Sequence, residues 1–159
     1  MSVVVYHKGV MAADSRAYSG STHPIGTKLK IHRLADGSIV GITSNQVGMP
    51  EAFVEWLNKG ANRDDVMPAE PCLSAIHVSP TGEVAIYSDG YTPSRVMGET
   101  FTVGSGRKYA LGAIAMGADA VRAVEVAIEN DLWCGGPVAL LHLAGKSPPL
   151  MLKEEPYAA

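Results

Sequence analysis

Only two cysteines, Cys72 and Cys134, occur among the 159 residues. That excludes a disulfide framework and makes a reducing cytoplasm the expected setting. Long apolar runs are missing as well. No stretch approaches the roughly 18 residues a membrane span needs. The N-terminus has neither the basic region nor the apolar core of a signal peptide. Basic charge is short, with 13 Lys and Arg against 16 Asp and Glu and a net charge of −3. Nothing therefore marks a nucleic-acid surface. The five histidines are scattered without metal-ligand spacing, so no metal and no other cofactor is expected. Internal repeats and low-complexity segments are lacking too. What is left is ordinary globular composition, 47% hydrophobic and 18% charged. The length suits one domain spanning 1–159.

Punctuation by Gly, Pro and Asp-Gly divides the chain into short elements. Val3–His7 is β-branched, Lys8-Gly9 reads as a tight turn, and Val10–Ala13 returns. Ile31–Leu34 and Ser38–Thr43 flank Ala35-Asp36-Gly37 and make a second hairpin. Pro50–Lys59 predicts a helix, with Pro50 in its first turn, Phe53, Trp56 and Leu57 at 3–4 spacing, and Gly60 as the stop. Ala61–Pro71 reads as loop. Leu73–Ser79 and Glu83–Ser88 form a third hairpin across Pro80-Thr81-Gly82, and Phe101–Val103 a short strand. Tyr109–Met116 and Asp119–Glu129 predict two helices, the first small and closely packed through Ala110, Ala113 and Ala115. Pro137–Leu143 is a buried strand, Leu150–Lys153 an edge strand, and Glu154–Ala159 a loose tail. Hairpins with segregated helices predict an α+β fold with antiparallel sheets.

The second residue carries the chemical interest. Removal of Met1 would leave Ser2 with a hydroxyl beside its own α-amine, whose pKa near ~8 lets it act as a base. A hydroxyl with an adjacent base is an activated nucleophile. A buried lysine next to a carboxylate, such as Asp14 with Lys30, would ease ionisation of a nearby hydroxyl. Ser105 and Asp131 offer hydrogen bonds to the amine, and backbone N–H groups near Ser44 offer them to an oxyanion. Each residue also has a plain structural use. Ser105 could cap a helix, Lys30 could lie on the surface, and Cys134 could be a small buried apolar group.

Four segments occur in order: Ala12-Ala13-Asp14-Ser15-Arg16, Lys30-Ile31-His32-Arg33, Gly104-Ser105-Gly106, and Asp131-Leu132-Trp133-Cys134-Gly135-Gly136. Together they resemble the proteasome β-subunit family, including its bacterial homologues, which are N-terminal-nucleophile hydrolases. The resemblance runs from the first strand to about Leu143. It implies a four-layer α-β-β-α sandwich of two antiparallel sheets. It also implies homo-oligomeric rings, stacked in pairs, that enclose the active sites. Asp14 and Arg16 match the family's Asp and following basic residue, and Lys30 its lysine sixteen positions after that Asp. Ser105 matches the Ser of its Gly-Ser-Gly, and Asp131 the Asp of its Asp-x-x-Ser-Gly, with Cys134 in place of the Ser. Ser44 falls where the family has the oxyanion amide, in place of its usual Gly.

The chain departs from the family at three points. Ser2 replaces the usual Thr and lacks the methyl that restricts side-chain rotation. Ser2 and Asp14 are twelve positions apart, where the family has sixteen. A two-residue turn at Lys8-Gly9 would nevertheless pair His7 with Val10 and, counting back, Ser2 with Ser15. Losing two residues from each arm preserves which faces point where. The long helix that the family carries after the Pro50–Lys59 segment is missing, which predicts a reduced first helical layer and puts docking to an unfoldase in doubt. The expected function is a cytoplasmic, self-compartmentalising peptidase acting on peptides or unfolded proteins. It would have no nucleic-acid or membrane partner and an unknown regulator. Two alternatives share the fold: an inactive ring-forming structural subunit and a small-molecule amidase.

Overall fold

The computed structural model describes residues 2–19, 23–65 and 71–152. In chain order its elements are β1 (Val3–His7), β2 (Val10–Ala13), β3 (Arg16–Ser19), β4 (His23–Thr27), β5 (Ile31–Arg33), β6 (Ile39–Thr43), α1 (Met49–Asn58), β7 (Ser74–Val78), β8 (Val84–Ser88), β9 (Ser94–Val96), β10 (Thr100–Gly104), α2 (Arg107–Ala115), α3 (Ala120–Asn130), β11 (Ala139–His142) and β12 (Leu150–Met151). One five-stranded sheet has the order β10-β1-β2-β11-β12 and the other β5-β6-β7-β8-β9, while β3 and β4 form a separate ribbon. Every pairing is antiparallel.

The first hairpin sets the position of Ser2. Lys8 and Gly9 both take positive φ, 48° and 82°, the backbone of a two-residue turn whose twist matches the strands. The register runs His7↔Val10 to Val4↔Ala13, as counted from the turn. Ser2 stands one residue before β1, at the end of a strand flanked on both sides by β10 and β2.

Alternation along the strands separates three apolar cores. Val4, Tyr6, Met11, Ala13, Ile31, Ile39, Ile76 and Val103 fill the space between the sheets. Val3, Val5 and Ala12 point the other way, onto Ala110, Ala123, Val124 and Ala127 of α2 and α3. On the far face of the second sheet, Val40, Ile42, Ala75 and Tyr87 pack against Met49, Phe53 and Trp56 of α1. The result is a four-layer α-β-β-α sandwich. Among the described residues α1 is the only helix on its face, so that layer is reduced as expected.

The elements differ from expectation in several places. The β3–β4 ribbon was not anticipated, because Ser, Gly, Thr and Pro dominate 19–24, and a register shift at Ala17/Tyr18 breaks any alternation. The three-residue β9 was also missed. Helix α2 is not closely packed throughout. Ala110 is its buried residue, while Ala115 is exposed. Helix α3 starts where expected, its first turn closed by Asp119 accepting from the Arg122 amide at 2.8 Å. Lys153, the tail 154–159, and 66–70 of the predicted 61–71 loop lie outside the described residues.

Two half-buried histidines make stability depend on pH. Burial pushes the His77 imidazole below its usual 6.5, against the pull of Asp36, and does the same to His32 against Glu51. The folded state thus holds fewer protons than the unfolded state below that value. The stabilisation is complete above about pH 6.5 and is lost as pH falls from there through the lowered folded values. The urea midpoint is expected to drop between about pH 7.5 and pH 5.5. A double His32→Gln, His77→Gln variant is expected to show a flatter dependence over that window. An equally steep variant would place the effect elsewhere.

Candidate active site

The hairpin register brings the ends of β1 and β2 together. The Val3 amide donates to Asp14 Oδ1 at 3.0 Å, and the Asp14 amide donates back to the Val3 carbonyl at 3.2 Å. Asp14 is fully buried and accepts from two further donors. Lys30 Nζ lies 2.9 Å from Oδ1, and the Gly135 amide 3.1 Å from Oδ2. A buried carboxylate is tolerated when it is paired and its remaining lone pairs are occupied, and three donors meet that condition. Lys30 is itself nearly buried, at 5% exposure. Burial pushes its ammonium pKa down, and the contact with Asp14 opposes without overcoming it. Lys30 is therefore a better proton acceptor than a surface lysine.

A second cluster holds the backbone of Ser2. The Ser2 nitrogen donates to Ser105 Oγ at 3.1 Å. The Ser2 carbonyl accepts from the Gly106 amide at 3.1 Å and from the Ser105 hydroxyl at 3.3 Å. Ser105 lies on the turn between β10 and α2. Its Oγ is 4.0 Å from Cys134 Sγ, which in turn donates to Asp131 Oδ2 at 3.1 Å. Burial alone would raise the Asp131 carboxyl. Hydrogen bonds from Ser105, Cys134 and the Trp133 amide hold it below its ordinary value. Burial, reinforced by Asp14 and Asp131, pushes the Cys134 thiol far up, so it stays protonated and acts as a donor.

Two glycines make this proximity possible. Gly104 has φ +99°, and a Cβ there would overlap the Ser2 carbonyl. Gly104→Ala combines strain at that φ with a clash against backbone, and a loss of about 1–3 kcal/mol is expected. A urea titration checks the loss. An unchanged midpoint would mean that Ser2 can shift freely. At Gly135 a Cβ would overlap the Arg16 guanidinium, which crosses that glycine and donates to Tyr18 Oη at 3.0 Å. The Ser15 and Arg16 amides both donate to the Gly135 carbonyl, at 3.1 and 2.9 Å. Arg16 thus ties β3 to the 131–136 segment.

Ser2 and Lys30 face a cavity of about 260 Å³ whose walls include Ala17, Tyr18, Ile25, Ile42, Val47 and Pro50. The structure therefore gathers Ser2, Asp14 and Lys30 on one side, and Ser105, Asp131 and Cys134 beside the Ser2 nitrogen. Ser44 follows β6 and lines the same cavity, with its hydroxyl turned to the Cys72 carbonyl and the Gln46 amide. Arg16 stands at the wall. Met1 lies outside the described residues. The amides of Val3 and Gly135 were missed in the sequence, because a backbone donor carries no residue identity. The apolar walls from the β3–β4 ribbon were missed with that ribbon. Among the described residues no group of three or more His, Cys, Asp or Glu is placed to hold a metal ion, and no helix is long and apolar enough to cross a membrane.

The α-β-β-α sandwich is shared with solved structures. Thiobacillus denitrificans BPH, solved in complex with epoxomicin, matches with a TM-score of 0.64 over 91% of this chain and 100% of its own, at 18% identity. A second structure of Thiobacillus denitrificans BPH gives 0.63 over 92% and 100%, again at 18% identity. No protein-family profile and no curated relative matches the chain.

Proposed function

We propose that the chain is an N-terminal-nucleophile peptidase of the proteasome-like kind, with Ser2 as nucleophile once Met1 has been removed. One observation carries this reading. The Asp14 carboxylate that binds the Val3 amide also holds Lys30, and the Ser2 nitrogen is fixed by Ser105. In the reaction, Ser2 Oγ attacks the scissile carbonyl carbon and its proton passes to the α-amine, with Lys30 assisting. Amides near Ser44 stabilise the oxyanion. The amine then protonates the leaving nitrogen as the C–N bond breaks, leaving an ester on Ser2. Water hydrolyses that ester by the same groups in reverse order. Asp14 keeps Lys30 in place, and Ser105 with Asp131 positions the amine. The protein acts in the cytoplasm as a homo-oligomer of stacked rings on peptides or unfolded proteins.

The ligand of the structural neighbour agrees with this chemistry. Epoxomicin is a peptide epoxyketone, whose two electrophilic carbons suit a residue offering a hydroxyl and an amine together. The test is intact mass spectrometry before and after treatment with a peptide epoxyketone. Loss of Met1 and a single adduct on Ser2 are expected. Retained Met1 with no adduct overturns the proposal in favour of a structural subunit. An adduct with turnover of small amides but not of peptides would favour an amidase.

A further inference from the structure

A second and larger cavity adjoins the one at Ser2. It measures about 650 Å³ and lies where the ends of β6, β7 and β8 meet the turn after β10. Ser105 lines it, whereas Ser2 and Lys30 line only the smaller cavity. Ser44 and Asn45 line both, so the two cavities adjoin at the end of β6. Their chemistry differs. The smaller cavity has a mostly apolar surface, with Arg16, Lys28 and Lys30 also on its walls. The larger presents Thr43, Ser74, Ser88 and Thr102, with Arg107, Asp89 and the exposed thiol of Cys72.

The direction of proton flow assigns the two sides. The inference rests on the peptidase reading, in which the Ser2 amine delivers the proton to the leaving nitrogen. That amine points at Ser105, and Ser105 opens on the larger cavity. Lys30, which eases ionisation of the hydroxyl, opens on the smaller one. The departing half of the peptide must lie on the side that supplies its proton. We propose that the larger cavity binds the substrate residues C-terminal to the scissile bond and favours an acidic residue among the first of them. Arg107 is two positions past Ser105 and uses one guanidinium nitrogen on the Gly104 carbonyl at 2.9 Å, leaving donors for a carboxylate. Asp89, the opposite charge in this cavity, is engaged at Oδ1 by the Leu73 amide at 3.0 Å. It follows β8, whereas Arg107 opens α2 two residues after Ser105.

The test uses peptides with one common N-terminal half and Asp, Ser or Lys at the first position beyond the scissile bond. An aryl amide of the same half, whose leaving group does not reach the cavity, serves for comparison. The expected kcat/KM is higher for Asp than for Lys by about fivefold, the scale of an exposed charge pair. Arg107→Glu is expected to invert that ratio. Alkylation of Cys72 should lower the peptide rate relative to the aryl amide, and in Cys72→Ala the same reagent should leave that ratio unchanged. Cleavage that ignores the residue beyond the bond, in wild type and Arg107→Glu alike, with the aryl amide still hydrolysed, overturns this assignment alone. Failure of all hydrolysis together with no epoxyketone adduct overturns the peptidase reading and this assignment with it.

Discussion

Ser2→Ala is expected to lower peptide hydrolysis by a factor on the order of a thousand or more, the usual consequence of removing a hydroxyl nucleophile. The fold should survive. The Ser2 nitrogen and carbonyl keep their bonds to Ser105 and Gly106 in the variant, because both are backbone atoms. Only the hydroxyl is lost, which leaves no large void. Activity and folding are therefore separable at this residue. The assay pairs kcat/KM on a peptide substrate with a urea midpoint and with epoxyketone labelling. Retention of most of the wild-type rate would exclude Ser2 as nucleophile, whatever the geometry around it.

Asp14→Ala is expected to damage both. The carboxylate accepts from the Val3 and Gly135 amides and from Lys30, and all four residues are buried. Its removal leaves a nearly buried ammonium and two amides without their acceptor. Breaking a buried pair on one side costs about 3–5 kcal/mol. Hydrolysis should fall together with stability, since Lys30 loses its anchor and the end of β1 loses a fixed contact. Asp14→Asn keeps an acceptor of the same shape and should lie between wild type and alanine in urea titration. A neutral Asp14→Ala would mean that Lys30 reaches water and that the pair has little structural weight.

These two residues also mark what the sequence makes legible. The Lys8-Gly9 turn fixes the hairpin register, and the register alone places Ser2 beside Asp14 despite the short first strand. Asp36-Gly37, Pro50 and Asp119 punctuate the neighbouring elements in the same local way. The spacing of Asp14 and Lys30 could be read because both are ionisable and each sits in a short motif. The β3–β4 ribbon was hidden because Pro24, Gly26 and a bulge replace alternation with loop composition. The two cavities were hidden for another reason. Their walls come from strands far apart in the chain, so no window of sequence contains them. The amides of Val3 and Gly135 complete the Asp14 site, yet any residue could supply them.

The seating of Ser2 has a practical consequence for handling the protein. β1 is an inner strand, and Ser2 sits at its end with 5% of its surface exposed and both backbone polar atoms engaged. A purification tag fused directly ahead of Ser2 would start at the cavity that Ser2 lines and, on the peptidase reading, would occupy the position of substrate. Such a fusion would report as an inert protein even if the enzyme were sound. Affinity handles belong at the other terminus, or behind a cleavable leader whose removal leaves Ser2 first.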